Sequence, residues 1–403
     1  MAGVILQVAL GSVYAWSVFR VPLAKQFNWS ISEVTLTFTI SILALGFSAF
    51  FGGLWLKRVG PQVVAMTGGI LFSGGIFLAS FSYHGLWWLY MTYGVMGGIG
   101  LGFAYIVPIS VIVKWFPDKR GLMTGIAVGG FGAGAFVTAP IATKLIESVG
   151  VLQTFSYLGI ANFVAVVAAA CFLKNPPDGW LPENWQPEQT QQKHNGDVFT
   201  LGKALKTWQW WALWLVLFLN ALAGISIISQ EAPMFEELAN ITPLVAAGMI
   251  GVVSIGNACG RVFWASVSDV IGRKVTFSIM FLIQIVLFWI LPSFHSVAAI
   301  TMIVFLVLMC YGGGFGTMPA LVADYFGTEN VGAIYGLMLT AWGFSSVAGP
   351  LLIAHLRQLS GTFTSGLHII SIVMAVSVIL PLMLKRPKNN VFIDDKNPAL
   401  LSH

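Results

Sequence analysis

Apolar residues run for about twenty positions at a time along this chain, interrupted by short polar turns, at 2–23, 33–56, 62–82, 86–113, 121–146, 152–174, 208–231, 242–267, 275–294, 297–323, 330–356 and 364–384. A helix rises about 1.5 Å per residue, so about twenty apolar residues cross a hydrocarbon core of about 30 Å. The runs are continuous rather than alternating, which argues against a β-barrel. The pattern predicts an all-α membrane protein with twelve transmembrane helices. The one long polar stretch, Asn175 to Thr207, holds Pro176, Pro177, Pro182 and Pro187 and reads as an irregular linker. It divides the chain into an N-terminal six-helix bundle (1–174), a cytoplasmic linker (175–207), a C-terminal six-helix bundle (208–385) and a cytoplasmic tail (386–403). Met1 leads straight into the first apolar run without a basic leader or a small-residue cleavage site, so that run is read as a spanning helix and not as a signal peptide.

Composition agrees. The 403 residues are 57% hydrophobic and 9% charged with a mean hydropathy of +0.85, whereas soluble domains carry about 25% charged residues. This excludes a soluble globular enzyme. The pI of about 9.1 would suggest nucleic acid in a soluble domain, but the basic residues sit beside apolar runs. With the N-terminus inside, fifteen of the twenty Lys and Arg fall on the cytoplasmic side, as the positive-inside rule requires. The expected environment is therefore an inner or plasma membrane bilayer with both termini cytoplasmic, and no nucleic-acid partner. Cys171, Cys259 and Cys310 all lie in apolar runs, with neither disulfide nor metal spacing. No cofactor motif is present: the glycine clusters at 97–102 and 129–134 sit inside spans and lack the Gly-Lys-Ser/Thr of a phosphate loop, so they read as helix-packing surfaces.

The halves resemble each other. Trp115-Phe116 precedes a glycine-rich helix reaching Pro140, and Tyr325-Phe326 precedes another reaching Pro350, each pair 210 residues apart. Transporters built from two such repeats bind substrate near the midplane between them.

Arg261 is the most informative residue. It lies eight positions before Asp269, hence about 12 Å inside the membrane from the cytoplasmic end of predicted helix 8. An intramembrane arginine costs roughly 2.5–3.5 kcal/mol on insertion scales and needs a partner. The bland reading is a structural ion pair, yet no other span offers a mid-membrane Asp or Glu; the alternative is a substrate anion. Asn257, one turn away, can share that anion or simply bond a neighbouring helix. Tyr105 and Tyr311 lie in corresponding places in helices 4 and 10, each shortly before a proline, as further substrate contacts or as packing anchors. Tyr14, Trp16, Tyr335 and Trp342 are weaker candidates for the cavity lining. His355, His368 and Glu231 could carry protons but are expected near the outer surface and solvated, and Glu236 and Glu237 are read as solvating the loop after helix 7. No serine elbow, zinc motif or catalytic carboxylate pair stands out, so an enzyme is not expected.

Two motifs carry a family resemblance. Gly260-Arg-Val-Phe-Trp-Ala-Ser-Val-Ser-Asp269-Val-Ile-Gly272-Arg273-Lys274 resembles the helix 8–9 loop of the major facilitator superfamily, which implies that superfamily's fold of two six-helix bundles. Asp269, Arg273 and Lys274 would then be gating residues. The first-half copy, Gly53-Leu-Trp-Leu-Lys57-Arg58-Val-Gly60, keeps Arg58 but has Lys57 where the family has aspartate. Trp115-Phe-Pro-Asp-Lys119-Arg120-Gly-Leu-Met-Thr-Gly125 and Gly11-Ser-Val-Tyr14-Ala-Trp16 resemble the helix 5 and helix 1 signatures of the monocarboxylate transporter family and its bacterial oxalate/formate antiporter relatives. There a helix 8 arginine binds the substrate carboxylate, and Arg261 matches it. Departures narrow what the resemblance implies. Animal members have an aspartate where this chain has Asn257 and a helix 1 lysine where it has Val18, and oxalate antiporters have a helix 11 lysine where it has Trp342. One cavity cation favours a monoanion over a dianion, since an uncompensated buried charge is costly. The expectation is a secondary active transporter of small monocarboxylates such as lactate or pyruvate, coupled to protons. The alternatives are an organic-anion exchanger and a transporter-like membrane receptor.

Overall fold

The computed structural model describes residues 1–177, 179–182, 199–241 and 243–387. Among them are twelve helices long and apolar enough to span a bilayer: α1 Ala2–Phe27, α2 Ile31–Val59, α3 Pro61–His84, α4 Leu86–Trp115, α5 Arg120–Val149, α6 Val151–Ala170, α7 Trp208–Ala239, α8 Pro243–Ile271, α9 Arg273–Ser293, α10 Val297–Phe326, α11 Val331–Ser360 and α12 Thr364–Met383. The predicted runs coincide with these helices, and α7 continues two turns past its predicted end at 231. The chain is an integral membrane protein, all-helical with no strand among the described residues.

Single glycines in left-handed conformations reverse the chain: Gly60 (φ +82°) between α2 and α3, Gly272 (φ +90°) between α8 and α9, and Gly150 (φ +85°) between α5 and α6. An L side chain is strained there, so glycine permits turns of one residue. Ser30 opens α2 with a capping box, its hydroxyl accepting from Glu33 N while the Glu33 carboxylate accepts from Ser30 N. The turns after α2, α4 and α8 and the end of α12 gather Lys57, Arg58, Lys119, Arg120, Arg273, Lys274, Lys385 and Arg386, and this side is called the basic face.

Helices α1–α6 and α7–α12 form the two bundles. They meet along two seams, α2 against α11 and α5 against α8 and α10. In the first, a Cβ on Gly53 would strike the Gly332 carbonyl, and Gly336 abuts Ala49. In the second, Gly121 abuts Asp269 and Ala265, and Gly132 abuts Ala258. Glycine lets backbones approach closely enough for packing to hold helices together in lipid. Among the described residues, every polar contact between the bundles lies at the centre or toward the basic face.

Residues 183–198 of the expected linker and 388–403 of the expected tail lie outside the described residues. The end of the linker is not irregular chain. Thr200 caps a short helix, Leu201–Leu205, Phe199 N donates to Phe326 O at 3.2 Å, and Asn330 Nδ2 donates to Phe199 O at 2.7 Å. A buried phenylalanine and a hydrogen-bonded backbone thus dock residues 199–207 on the second bundle.

Candidate functional site

The helices lose regularity where they meet at the centre. Gly11–Ala15 of α1 is a 3₁₀ turn carrying Tyr14, and α11 is interrupted at Leu339, between Tyr335 and Trp342. Departures from α geometry inside helices often mark functional positions because they re-aim side chains. Here Tyr14 and Tyr335 face Arg261 of α8, and Trp342 packs on Phe131 and Phe315.

Arg261 is fully buried. Its Nε donates to Asn257 Oδ1 at 3.2 Å, and Nη1 donates across the interface to Val128 O of α5 at 3.3 Å. Nη2 is buried with no partner among the described residues. The guanidinium carbon lies 5.4 Å from the ring centre of Phe131 and 5.3 Å from that of Phe315. Around it stand the hydroxyls of Tyr14, Tyr105, Tyr311 and Tyr335. Tyr14 and Tyr311 share a hydrogen bond of 3.2 Å between bundles. The Tyr105 and Tyr335 hydroxyls and Trp342 Nε1 are buried without partners. Leaving a buried donor unpaired costs roughly 1–3 kcal/mol, so this many gathered around one cation mark a place for acceptor oxygens. Among the described residues no carboxylate pairs with Arg261.

The structure therefore brings together Arg261, Asn257, Tyr105, Tyr311, Tyr14, Tyr335 and Trp342. Trp16 points elsewhere, packing on Tyr93 at 4.4 Å inside the first bundle. The correspondence between Tyr105 and Tyr311 is looser than the sequence suggests: a spacing of 210 residues pairs Tyr105 with Phe315, one turn beyond Tyr311. Each bundle steadies its tyrosine similarly, with Gln7 Nε2 donating to Tyr105 O at 3.1 Å and Asn220 Nδ2 to Tyr311 O at 3.0 Å. Sequence reasoning missed Phe131, Phe315, Gln7 and Asn220. The polar pair stood out as amides in apolar runs, and that signal could have found them; the rings carried none.

Toward the basic face, Asp269 accepts from Gly121 N at 3.2 Å and Leu122 N at 2.8 Å, the first turn of α5. The positive end of a helix dipole meets a carboxylate there. Arg273 pairs with Asp269 at 2.6 Å and with Asp324 at 3.1 Å, and Arg120 reaches Asp324 at 3.3 Å. Lys274 stands apart from this network, donating to Leu384 O at 2.8 Å. Arg58 is exposed and has no ion pair among the described residues.

On the opposite side two expectations need correction. Glu231 is buried, not solvated, and lies within a helix that runs on to Ala239. Glu237 does not merely solvate a loop: it belongs to α7, pairs with Arg357 at 2.9 Å and accepts from Phe363 N at 3.1 Å, tying α7 to α11 and the start of α12. His355 is exposed, and the partly buried His368 stacks on Trp289 at 4.4 Å.

Twelve spanning helices in two bundles that close on a buried polar centre have the architecture of a membrane transporter. The family model of the Major Facilitator Superfamily matches residues 1–350 and 239–399, and the chain belongs to that superfamily. It is 32% identical to an uncharacterised transporter of the superfamily, YhjX of Escherichia coli, over 85% of this chain and 84% of that one. It is 27% identical to the oxalate:formate antiporter of Oxalobacter formigenes, over 84% and 79%, and 23% identical to monocarboxylate transporter 13 of Rattus norvegicus, over 88% and 80%. In fold it is similar to the E. coli fucose:proton symporter FucP, with a TM-score of 0.72 and 13% identity over 96% of this chain and 98% of that one.

Proposed function

We propose that the protein is a secondary active transporter of small monocarboxylates, lactate or pyruvate among them, that works by alternating access with protons as the coupling ion. The observation that carries this reading is the free Nη2 edge of a fully buried Arg261 among partnerless hydroxyl and indole donors. Such a set accepts a carboxylate: Arg261 holds it, Asn257 fixes the guanidinium, and Tyr105, Tyr311, Tyr14, Tyr335 and Trp342 orient the remaining oxygens. Asp269, Arg273 and Asp324 hold the basic face shut. In this reading the basic face is cytoplasmic, following the positive-inside rule. Of the ionisable residues considered from sequence as proton carriers only Glu231 is buried, which makes Glu231→Gln the variant that tests coupling.

Exchange of organic anions is the second reading, supported by the relative named as an oxalate:formate antiporter. The single cation of the centre argues for monoanions in either case. The test is uptake of labelled lactate into proteoliposomes by the intact chain and by Arg261→Ala, with and without an inward proton gradient. The expected result is uptake that the gradient accelerates and the substitution abolishes. Counterflow of oxalate or formate without lactate uptake would select the exchanger, and flux indifferent to Arg261→Ala would remove the site assignment.

A further inference from the structure

The two rings on Arg261 belong to different bundles. Phe315 lies on α10, in the bundle that also carries Arg261, while Phe131 lies on α5, in the other. Both are fully buried, and their distances from the guanidinium are nearly equal, 5.3 and 5.4 Å. Neighbouring aromatics fix both rings: Phe131 meets Tyr14 and Tyr105 edge to face at 5.1 and 5.2 Å, and Phe315 meets Tyr311 at 5.1 Å and Trp342 at 4.6 Å. The guanidinium thus has an electron-rich ring toward each bundle, while its edges go to Asn257, to Val128 O and to the unpartnered Nη2. Desolvated cation–π contacts are strong enough to matter for a buried cation without a carboxylate.

We infer that Phe131 is a positioning residue acting as a removable counter-group for the site arginine, present when the bundles are together at the basic face and withdrawn when they part. Phe315 moves with Arg261 and accompanies it through every step. Phe131 and the Val128 carbonyl stay with α5 and leave when α5 separates from α8. The contact with Phe131 therefore favours the closed arrangement over the open one, whereas the contact with Phe315 favours neither. Conformational balance is set only by interactions that differ between states. This rests on the reading of Arg261 as the carboxylate site, and it adds a role that a hydropathy profile cannot show.

Stepwise fluorination of the ring at 131 or at 315 tests it, because each fluorine weakens the π face while nearly conserving ring shape. In lactate counterflow, the series at Phe131 is expected to lower kcat progressively, by about tenfold at trifluoro substitution, with KM changed less than about twofold. The same series at Phe315, a ring that stays on Arg261 in both arrangements, is the comparison for the label distances. A readout that needs no substrate accompanies it: spin labels at the exposed positions Lys119 and Val270 should report a larger separated population as fluorines are added at Phe131, and no change for Phe315. Equal effects of the two series on label distance would overturn the inference, as would a flat response at Phe131. If lactate is not carried at all, the reading of the site fails through transport while the label distances still decide the role of Phe131.

Discussion

The two seams that close the basic face are built from the same repeat but by different physics. Where α5 meets α8 and α10, Asp269 caps the first turn of α5, and Arg273, Asp324 and Arg120 form a partly buried ion network. Where α2 meets α11, backbone touches backbone at Gly53 and Gly332, and no ion pair joins the helices among the described residues. The charges are reversed as well. Lys57 precedes Gly60 as Asp269 precedes Gly272, and Lys114 precedes Trp115-Phe116 as Asp324 precedes Tyr325-Phe326. Lys114 has Lys57 and Glu329 as its charged neighbours. One seam is therefore held by directional charge-assisted bonds and the other by close packing, so each should fail under a different kind of substitution.

Bulk should break the packed seam. Gly53→Leu places carbon where the Gly332 carbonyl lies; overpacking by about 3 kcal/mol corresponds to a loss on the order of 100-fold in the closed population. Uptake should fall accordingly. Labelling from the basic side of a cysteine replacing the buried Ser110, in a chain lacking the three native cysteines, should rise. Charge should break the other seam, and less severely: Asp269→Asn keeps the shape but weakens the bonds to Gly121 N, Leu122 N and Arg273, for about a tenfold loss of uptake. Lys57→Asp tries to convert the packed seam into the ionic kind by setting a carboxylate near the first turn of α11. A helix-terminus interaction of about 0.3–1 kcal/mol predicts turnover slowed about two- to fivefold, and partial rescue when combined with Asp269→Asn. The smallest effect belongs to Glu237→Gln, whose partner Arg357 lies in the same bundle and is 41% exposed; initial uptake rates should stay within about twofold.

The asymmetry also shows what the sequence made legible. Spans were readable because hydropathy and length decide them, Arg261 because a charge at membrane depth must be answered by something, and Asp269 because the loop around it carries a family motif. Phe131 was not readable. It is fully buried against a cation while Phe136, five residues on, is 55% exposed, and in a lipid-facing helix both positions take the same apolar residue. Tyr14 and Trp16 are two residues apart, yet the 3₁₀ turn sends one to the centre and the other into its own bundle. Glu231 and Glu237 were misplaced because a polar run ended the predicted span before the helix itself ended.

Helix α8 carries Arg261 and Asp269, the proposed site arginine and gate aspartate, on one rod. The Arg261 carbonyl is wedged between Gly125 of α5 and Gly316 of α10, which makes that point a fulcrum. Asp269 is eight residues along, an arm of about 12 Å. A tilt of about 5° at the fulcrum swings the far end by roughly 1 Å, enough to carry the 2.8 Å bond from Leu122 N beyond hydrogen-bonding range. In the proposed transport cycle, leverage of this kind would turn a small adjustment around a bound carboxylate into release of the latch, without any signal having to pass from side chain to side chain.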